Sequence, residues 1–210
     1  MTVFDHVHAP LAHWARERPE AVALSNGDSA LTFAALHAEV RRRSAQLDAR
    51  AAPATVLLGG AGGTLARLVD FLAVVASGRC AAMGDADWPA HVAQAIAAHL
   101  PARPATGACT PESPFYIGFT SGSTGVPKGF ERHHRSWMES FRVTLADFGP
   151  DAATRVLAPG RMSHSLFLFG ALLGLWSGAG AEVQERFSAP RALATLGDLD
   201  AQAREQTAPR

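Results

Sequence analysis

The residues with the most chemistry in this chain lie between Phe119 and Gly129, in the order F-T-S-G-S-T-G-V-P-K-G. Gly122, Gly125 and Gly129 carry no Cβ, so the backbone there can reach positive φ and approach a ligand closely. Successive exposed N–H groups in such a bend form a nest for anions. Thr120, Ser121, Ser123 and Thr124 add hydroxyl donors, and Lys128 adds a compact positive charge. A phosphate chain needs this combination of short donors, one cation and no bulky wall. The stretch is not a Walker A loop, which runs Gly, four residues, then Gly-Lys-Ser/Thr. Here Pro127 precedes Lys128 and Gly129 follows it. Gly-Ser-Thr-Gly alone would also suit an exposed turn between a strand and a helix. The aromatic run Phe115-Tyr-Ile-Gly-Phe119 before it and Pro-Lys-Gly after it favour the phosphate reading.

Three other groups of residues carry side chains or spacings with possible chemistry. Gly59-Gly-Ala-Gly-Gly63 follows an apolar run and opens a helical pattern, as a dinucleotide-binding turn does. Counted from Gly60, however, Leu65 stands where the third glycine belongs. His133-His134 and the two cysteines, Cys80 and Cys109, match no metal spacing. Adjacent residues do not share a helix face, so the histidine pair reads as surface and no metal site is expected. His164 follows Pro159-Gly-Arg-Met-Ser163 and precedes an apolar helical pattern. An imidazole there can hydrogen-bond a carboxylate or carbonyl while neutral. On the residues alone it reads equally as a capping or core histidine.

The elements that must position these residues alternate. Leu11 to Arg18 reads as a helix, Ala21 to Ser25 as a strand, Asn26-Gly-Asp28 as a turn, and Ala30-Leu31 as the return strand. Thr32 caps a helix whose Phe33, Leu36, Val40 and Leu47 share a face. Thr55 to Leu58 is a strand, followed by a helix through Leu65, Leu68, Leu72 and Val75. A short strand over Arg79–Met83 leads to a helix opened by Trp88-Pro89 and running to Leu100. The segment Pro101 to Pro114 reads as a surface connector. After the glycine loop, 133–148 is helical, 154–158 a strand, and 166–181 a buried helix broken by glycines. The last residues, Gly197 to Arg210, read as a frayed terminus. The fold class expected is α/β, a mostly parallel sheet flanked by helices.

Thr120-Ser-Gly-Ser-Thr-Gly-Val-Pro-Lys-Gly129 resembles the phosphate-binding signature of the adenylate-forming enzymes: acyl-CoA synthetases, the adenylation domains of peptide synthetases, and luciferase. Arg18-Pro-Glu-Ala-Val-Ala-Leu24 and Leu31-Thr-Phe resemble the start of that family's N-terminal domain, and the resemblance runs to about Phe187. It implies the N-terminal part of the large domain over 1–187, with 188–210 a polar tail. It also implies ATP-dependent activation of a carboxylic acid, a fatty or other acyl acid, to an acyl-adenylate. Transfer to coenzyme A or a carrier-protein pantetheine thiol would follow. Thr120, Ser121, Gly122, Ser123, Thr124, Gly125, Lys128 and Gly129 would hold the nucleotide, with Mg²⁺, and Lys128 and His164 would serve the reaction. By the same resemblance, His164 would stand beside the acyl pocket. The family's adenine loop, ribose-holding acid, hinge and C-terminal lid domain find no match in this sequence. An excised piece, split gene or decayed gene, inactive without a complementary C-terminal half or partner chain, is therefore expected. A non-catalytic remnant or phosphate-binding module stays open as the alternative.

Composition sets outer bounds. The chain has 210 residues, 19 basic and 19 acidic, and 48% hydrophobic content, enough for a core and without a global field for nucleic acid. Arg41-Arg42-Arg43 reads as a solvated helix face. No stretch reads as a signal peptide or a membrane span, and the sparse cysteines fit a reducing, cytoplasmic setting.

Overall fold

A computed structural model describes residues 4–27, 29–59, 62–105, 108–120, 127–149 and 155–207, with side chains through residue 198. The order is α1 (Ala9–Glu17), β1 (Val22–Ser25), β2 (Ala30–Thr32), α2 (Phe33–Ala49), β3 (Thr55–Leu58), α3 (Thr64–Ala76), β4 (Cys80–Met83), α4 (Ala90–His99), β5 (Pro114–Thr120), β6 (Lys128–His133), α5 (His134–Phe148), β7 (Val156–Ala158), α6 (Ser165–Ser177), β8 (Ala181–Val183) and α7 (Ala189–Thr207).

Local chemistry explains most of these boundaries. Pro10 sits in the first turn of α1, where its missing N–H costs nothing. Thr32 Oγ1 accepts from the Ala35 N–H and starts α2. Phe33, Leu36, Val40 and Leu47 are then all buried on one face of that helix. Gly178 ends α6 in the left-handed region at φ +78°, which an L side chain rarely adopts.

The strands form two four-stranded sheets, ordered β2-β1-β8-β7 and β3-β4-β5-β6, where one sheet was expected. β1–β8, β7–β8, β3–β4 and β4–β5 are parallel, while β1–β2 and β5–β6 are antiparallel edge hairpins. One continuous core joins both sheets: Leu24 and Val183 from the first, Met83, Phe115 and Tyr116 from the second, and Phe33, Leu72, Phe141 and Leu172 from α2, α3, α5 and α6. A smaller cluster of Cys80, Ala82 and Ile117 covers the outer face of the second sheet.

Three elements differ from the sequence reading. The chain passes from the glycine loop into strand β6, not directly into a helix. The β6 sequence, K-G-F-E-R-H, is exposed at every position but the half-buried Phe130, so no alternation announces it; pairing with β5 defines it. The apolar run after residue 166 is divided into α6 and β8, because Gly178 and Gly180 at φ +78° and +76° turn the chain back. A Cβ at Gly180 would meet the Val22 carbonyl oxygen at 2.3 Å, so only glycine lets that turn lie against β1. The terminus expected to fray carries α7, whose first full turn closes from the Ala192 N–H to the Ser188 carbonyl at 2.8 Å.

Candidate functional site

In the second sheet β3, β4 and β5 run parallel, so Gly59, Gly84 and Thr120 emerge at the same edge. Open α/β sheets bind ligands at that carboxyl edge. The other sheet delivers its own carboxyl ends to the same rim. Past β8, Glu185 accepts from the Thr64 N–H at 3.1 Å and from its hydroxyl at 2.6 Å, at the start of α3. Past β7, Arg161 and Ser163 reach Asp85.

The glycine loop leaves this rim from β5 and returns as β6. Thr120 stands opposite Lys128, and its hydroxyl donates to the Lys128 carbonyl at 3.4 Å. Thr120, Lys128 and Gly129 are exposed. Gly118, two residues earlier, has a structural reason: a Cβ there would meet the Phe130 ring at 2.4 Å and the Tyr116 hydroxyl at 2.5 Å. Ser121, Gly122, Ser123, Thr124 and Gly125 lie outside the described residues.

A cavity of about 480 Å³ opens beside this hairpin, lined by Thr120, Pro127, Phe130, Trp88, Asp85, Ser163 and His164 among others. Trp88 and Phe119 meet edge to face, centroids 5.0 Å apart, and form its apolar wall. His164 is the N-cap residue of α6, yet its side chain caps nothing and is exposed. It is neither a capping nor a core histidine. Its carbonyl accepts from the Phe167 and Leu168 N–H groups and starts the helix. Thr120 and His164, predicted separately, therefore share one cavity. Gly129 lines a second cavity of about 730 Å³, between the hairpin and Ile96 and Leu100 of the α4 region. Lys128 lines neither cavity.

Asp85, which the sequence reading did not single out, lines the same cavity as His164. Its carboxylate accepts from Ser163 Oγ at 2.7 Å, from Arg161 at 3.1 Å and from the Asp87 N–H at 2.9 Å. Burial pushes its carboxyl up, but the Asp87 N–H, the Ser163 hydroxyl, Arg161 and His164 together carry it below the ordinary value. Arg161 also pairs with Asp87. Asp85 thus anchors the turn that presents His164. The same contacts bear on Mg²⁺. Among the described residues Asp85 is the one carboxylate lining this cavity, and its oxygens are already engaged.

The histidine pair divides. Exposed His133 caps α5, its Nδ1 accepting from the Ser136 N–H at 3.2 Å. His134 is no surface residue: it is 1% exposed.

Among known proteins, a family model described as AMP-binding enzyme matches residues 64–203. The chain is 51% identical over 82 residues to the uncharacterized acyl-CoA ligase YhfT of Bacillus subtilis, an alignment covering 39% of this chain and 17% of that one. Its fold superimposes on the nonribosomal peptide synthetase FmoA3 in an AMPPNP-bound form with a TM-score of 0.75, at 20% identity over 92% of this chain and 24% of the other. The O-succinylbenzoate coenzyme A synthetase MenE of Bacillus subtilis, in complex with AMP, gives 0.71 at 19% identity, covering 96% and 65%. The alignment with YhfT thus covers about a sixth of that relative's length.

Proposed function

The chain belongs to the AMP-binding enzyme family, and from that premise we propose that it contributes the triphosphate-holding half of an acid–thiol ligase. In the reaction, a carboxylate oxygen attacks the α-phosphorus of ATP, the bond to the bridging oxygen breaks, and pyrophosphate leaves. A thiol, of coenzyme A or a carrier protein, then attacks the acyl carbon and AMP leaves. The acid is a fatty or other acyl acid, a preference drawn from the apolar Leu166-Phe-Leu-Phe169 run beside His164.

Negative charge gathers on the departing pyrophosphate, so a fixed cation and short donors aimed there lower the barrier. Lys128 supplies the cation. Thr120, at the loop entrance, and Ser121, Gly122, Ser123, Thr124, Gly125 and Gly129 supply donors and close backbone approach. His164 hydrogen-bonds the acid's carboxylate from the cavity wall. Mg²⁺ would neutralise phosphate charge and arrive with the nucleotide. Oxygen ligands suit it, and the phosphates with hydroxyls such as that of Thr120 would hold it, because Asp85 is engaged. The reading places the chain in a reducing, cytoplasmic setting and requires neither nucleic acid nor a membrane span. Among the described residues no helix is long and apolar enough to cross a membrane.

The observation that supports this most is the hairpin that sets Thr120 opposite Lys128 at the sheet's carboxyl edge, beside the cavity holding His164. Lys128 is also the sole lysine of the chain, which gives a direct test. An amine-selective acetylating reagent can modify only its side chain and the N-terminal amine. Millimolar ATP with Mg²⁺ should slow acetylation of Lys128 several-fold and leave the N-terminus unaffected. Equal rates at Lys128 with and without nucleotide would overturn the assignment. Exchange of labelled pyrophosphate into ATP, with and without the C-terminal region of a relative, then separates catalysis from holding. Protection without exchange in either mixture favours a phosphate-binding module.

A further inference from the structure

At the other end of the β5–β6 hairpin from Thr120 and Lys128, three side chains from distant parts of the chain converge. His6 lies in the N-terminal segment, Cys109 in the connector before β5, and His134 at the first position of α5. One ligand atom from each lies within 4.8 Å of the others. His134 Nε2 faces Cys109 Sγ at 3.5 Å. Phe115 stacks on the His134 ring, centroids 5.0 Å apart, and holds it. The His6 ring stands edge-on to His134 at 4.8 Å, with its Nε2 3.3 Å from the Cys109 carbonyl. His8 completes the group, its ring 5.5 Å from that of His6 and 6.0 Å from that of His134. Its Nδ1 is buried and has no hydrogen-bond partner among the described residues.

We propose that His6, Cys109 and His134, with His8 as fourth ligand, form a binding site for a borderline-soft cation of the zinc class. This site is independent of the nucleotide reading. Imidazole and thiolate are the donors zinc prefers, and the cluster holds no carboxylate that would favour magnesium or calcium. With Zn–S near 2.3 Å, Zn–N near 2.0 Å and tetrahedral angles, a sulfur and a nitrogen ligand stand about 3.5 Å apart. The Cys109–His134 pair already has that separation. Drawing in His6 requires a shift of the N-terminal segment by about an ångström, since ligand atoms in a tetrahedral site stand roughly 3.3–3.6 Å apart, and the same segment carries His8.

The proton balance is definite. His134 Nδ1 accepts from the Val7 N–H at 3.2 Å, which puts the ring proton on Nε2, facing the sulfur. On loading, the thiol loses its proton to solvent, the ring proton shifts from Nε2 to Nδ1, and Val7 loses its acceptor. Because loading releases the thiol proton, affinity rises with pH.

The test titrates the whole chain with Zn²⁺, and with Co²⁺ as a spectroscopic probe. Equilibrium dialysis should find one zinc per chain at micromolar concentration, undiminished by millimolar Mg²⁺. Co²⁺ should give a thiolate charge-transfer band in the near ultraviolet, and Cys109→Ser should abolish it. His6→Ala, a change at the half-buried N-terminal segment, should weaken zinc binding at least tenfold. His99→Ala, on the exposed face of α4, should not. The Val7 amide resonance should move on zinc addition. Circular dichroism checks that each variant folds, and the cobalt band in the unmodified chain tests the site even where a variant fails. Absence of retained zinc at 100 µM overturns the proposal, as does zinc binding that Cys109→Ser and His6→Ala leave unchanged.

Discussion

Lys128 is the first residue of β6, exposed, and set opposite Thr120. Exposed there, it adds little to the fold, so its removal should leave the unfolding midpoint in place. Lys128→Ala should nevertheless lower acid-dependent pyrophosphate exchange about 10²- to 10³-fold in an exchange-competent enzyme, the scale of one lost electrostatic contact. A rate within twofold of wild type would mean that the cation is dispensable. The other 18 of the 19 basic residues are arginines, and a guanidinium is a rigid fork where lysine offers a compact charge. Lys128→Arg is therefore expected to recover only part of the loss. This much of the site is legible in the sequence because glycines, hydroxyls and a lysine are contiguous there. Asp85, Ser163 and Trp88 were not legible. Asp85 and Trp88 follow β4 while Ser163 follows β7, and they meet only when both sheets bring their ends to one rim. His134 was misread for the same reason: Cys109 and His6 are its neighbours in space and not in sequence.

Helices α2 and α3 could be read from apolar spacing, since the burying face repeats along the chain and Thr32 marks the start of α2. The short strands β6 and β8 could not, because pairing and not periodicity defines them. The helix α6 shows how one residue type carries different meanings within a single element. Gly170 and Gly174 are one turn apart. A Cβ at Gly174 would meet the Gly180 carbonyl oxygen at 2.5 Å, and backbone cannot rotate away. At Gly170 the nearest atom would be Val156 Cγ1 at 3.7 Å, an ordinary contact. Gly174→Ala should therefore destabilise by about 1–3 kcal/mol through overpacking. Gly170→Ala should be neutral or stabilising by up to ~1 kcal/mol, because alanine favours the helix. Urea midpoints of the two variants measure the difference; equal midpoints would mean that α6 slides freely over the β8 turn.

For the molecule as a whole, the surface and the seam between the sheets matter most. Val143, Phe148, Leu166, Phe187 and Leu193 are 57–73% exposed, and large exposed apolar side chains favour association. The isolated chain should self-associate, and size-exclusion with light scattering giving one sharp monomer across concentrations would contradict that. At the rim the two sheets are tied by Asp85, which receives Arg161 and Ser163 from beyond β7 while itself following β4. Its carboxyl titrates below the ordinary carboxylate value near 3.9 when folded, so the folded state binds fewer protons there than the unfolded one. The stabilisation is complete above about pH 4 and is lost as pH falls through the folded value. Arg161, Arg186, Asp87 and His164 are the charged or titratable neighbours, and Arg161 keeps its charge throughout. Asp85→Asn keeps an oxygen for Ser163 but discards the charge. Wild type should therefore exceed Asp85→Asn in urea midpoint at pH 6–7, and the gap should close as pH falls from about 4 into the range where the folded carboxyl takes up its proton. A gap that persists unchanged into that range would mean that the ion pair, and with it the fixed placement of His164, does not depend on the Asp85 charge.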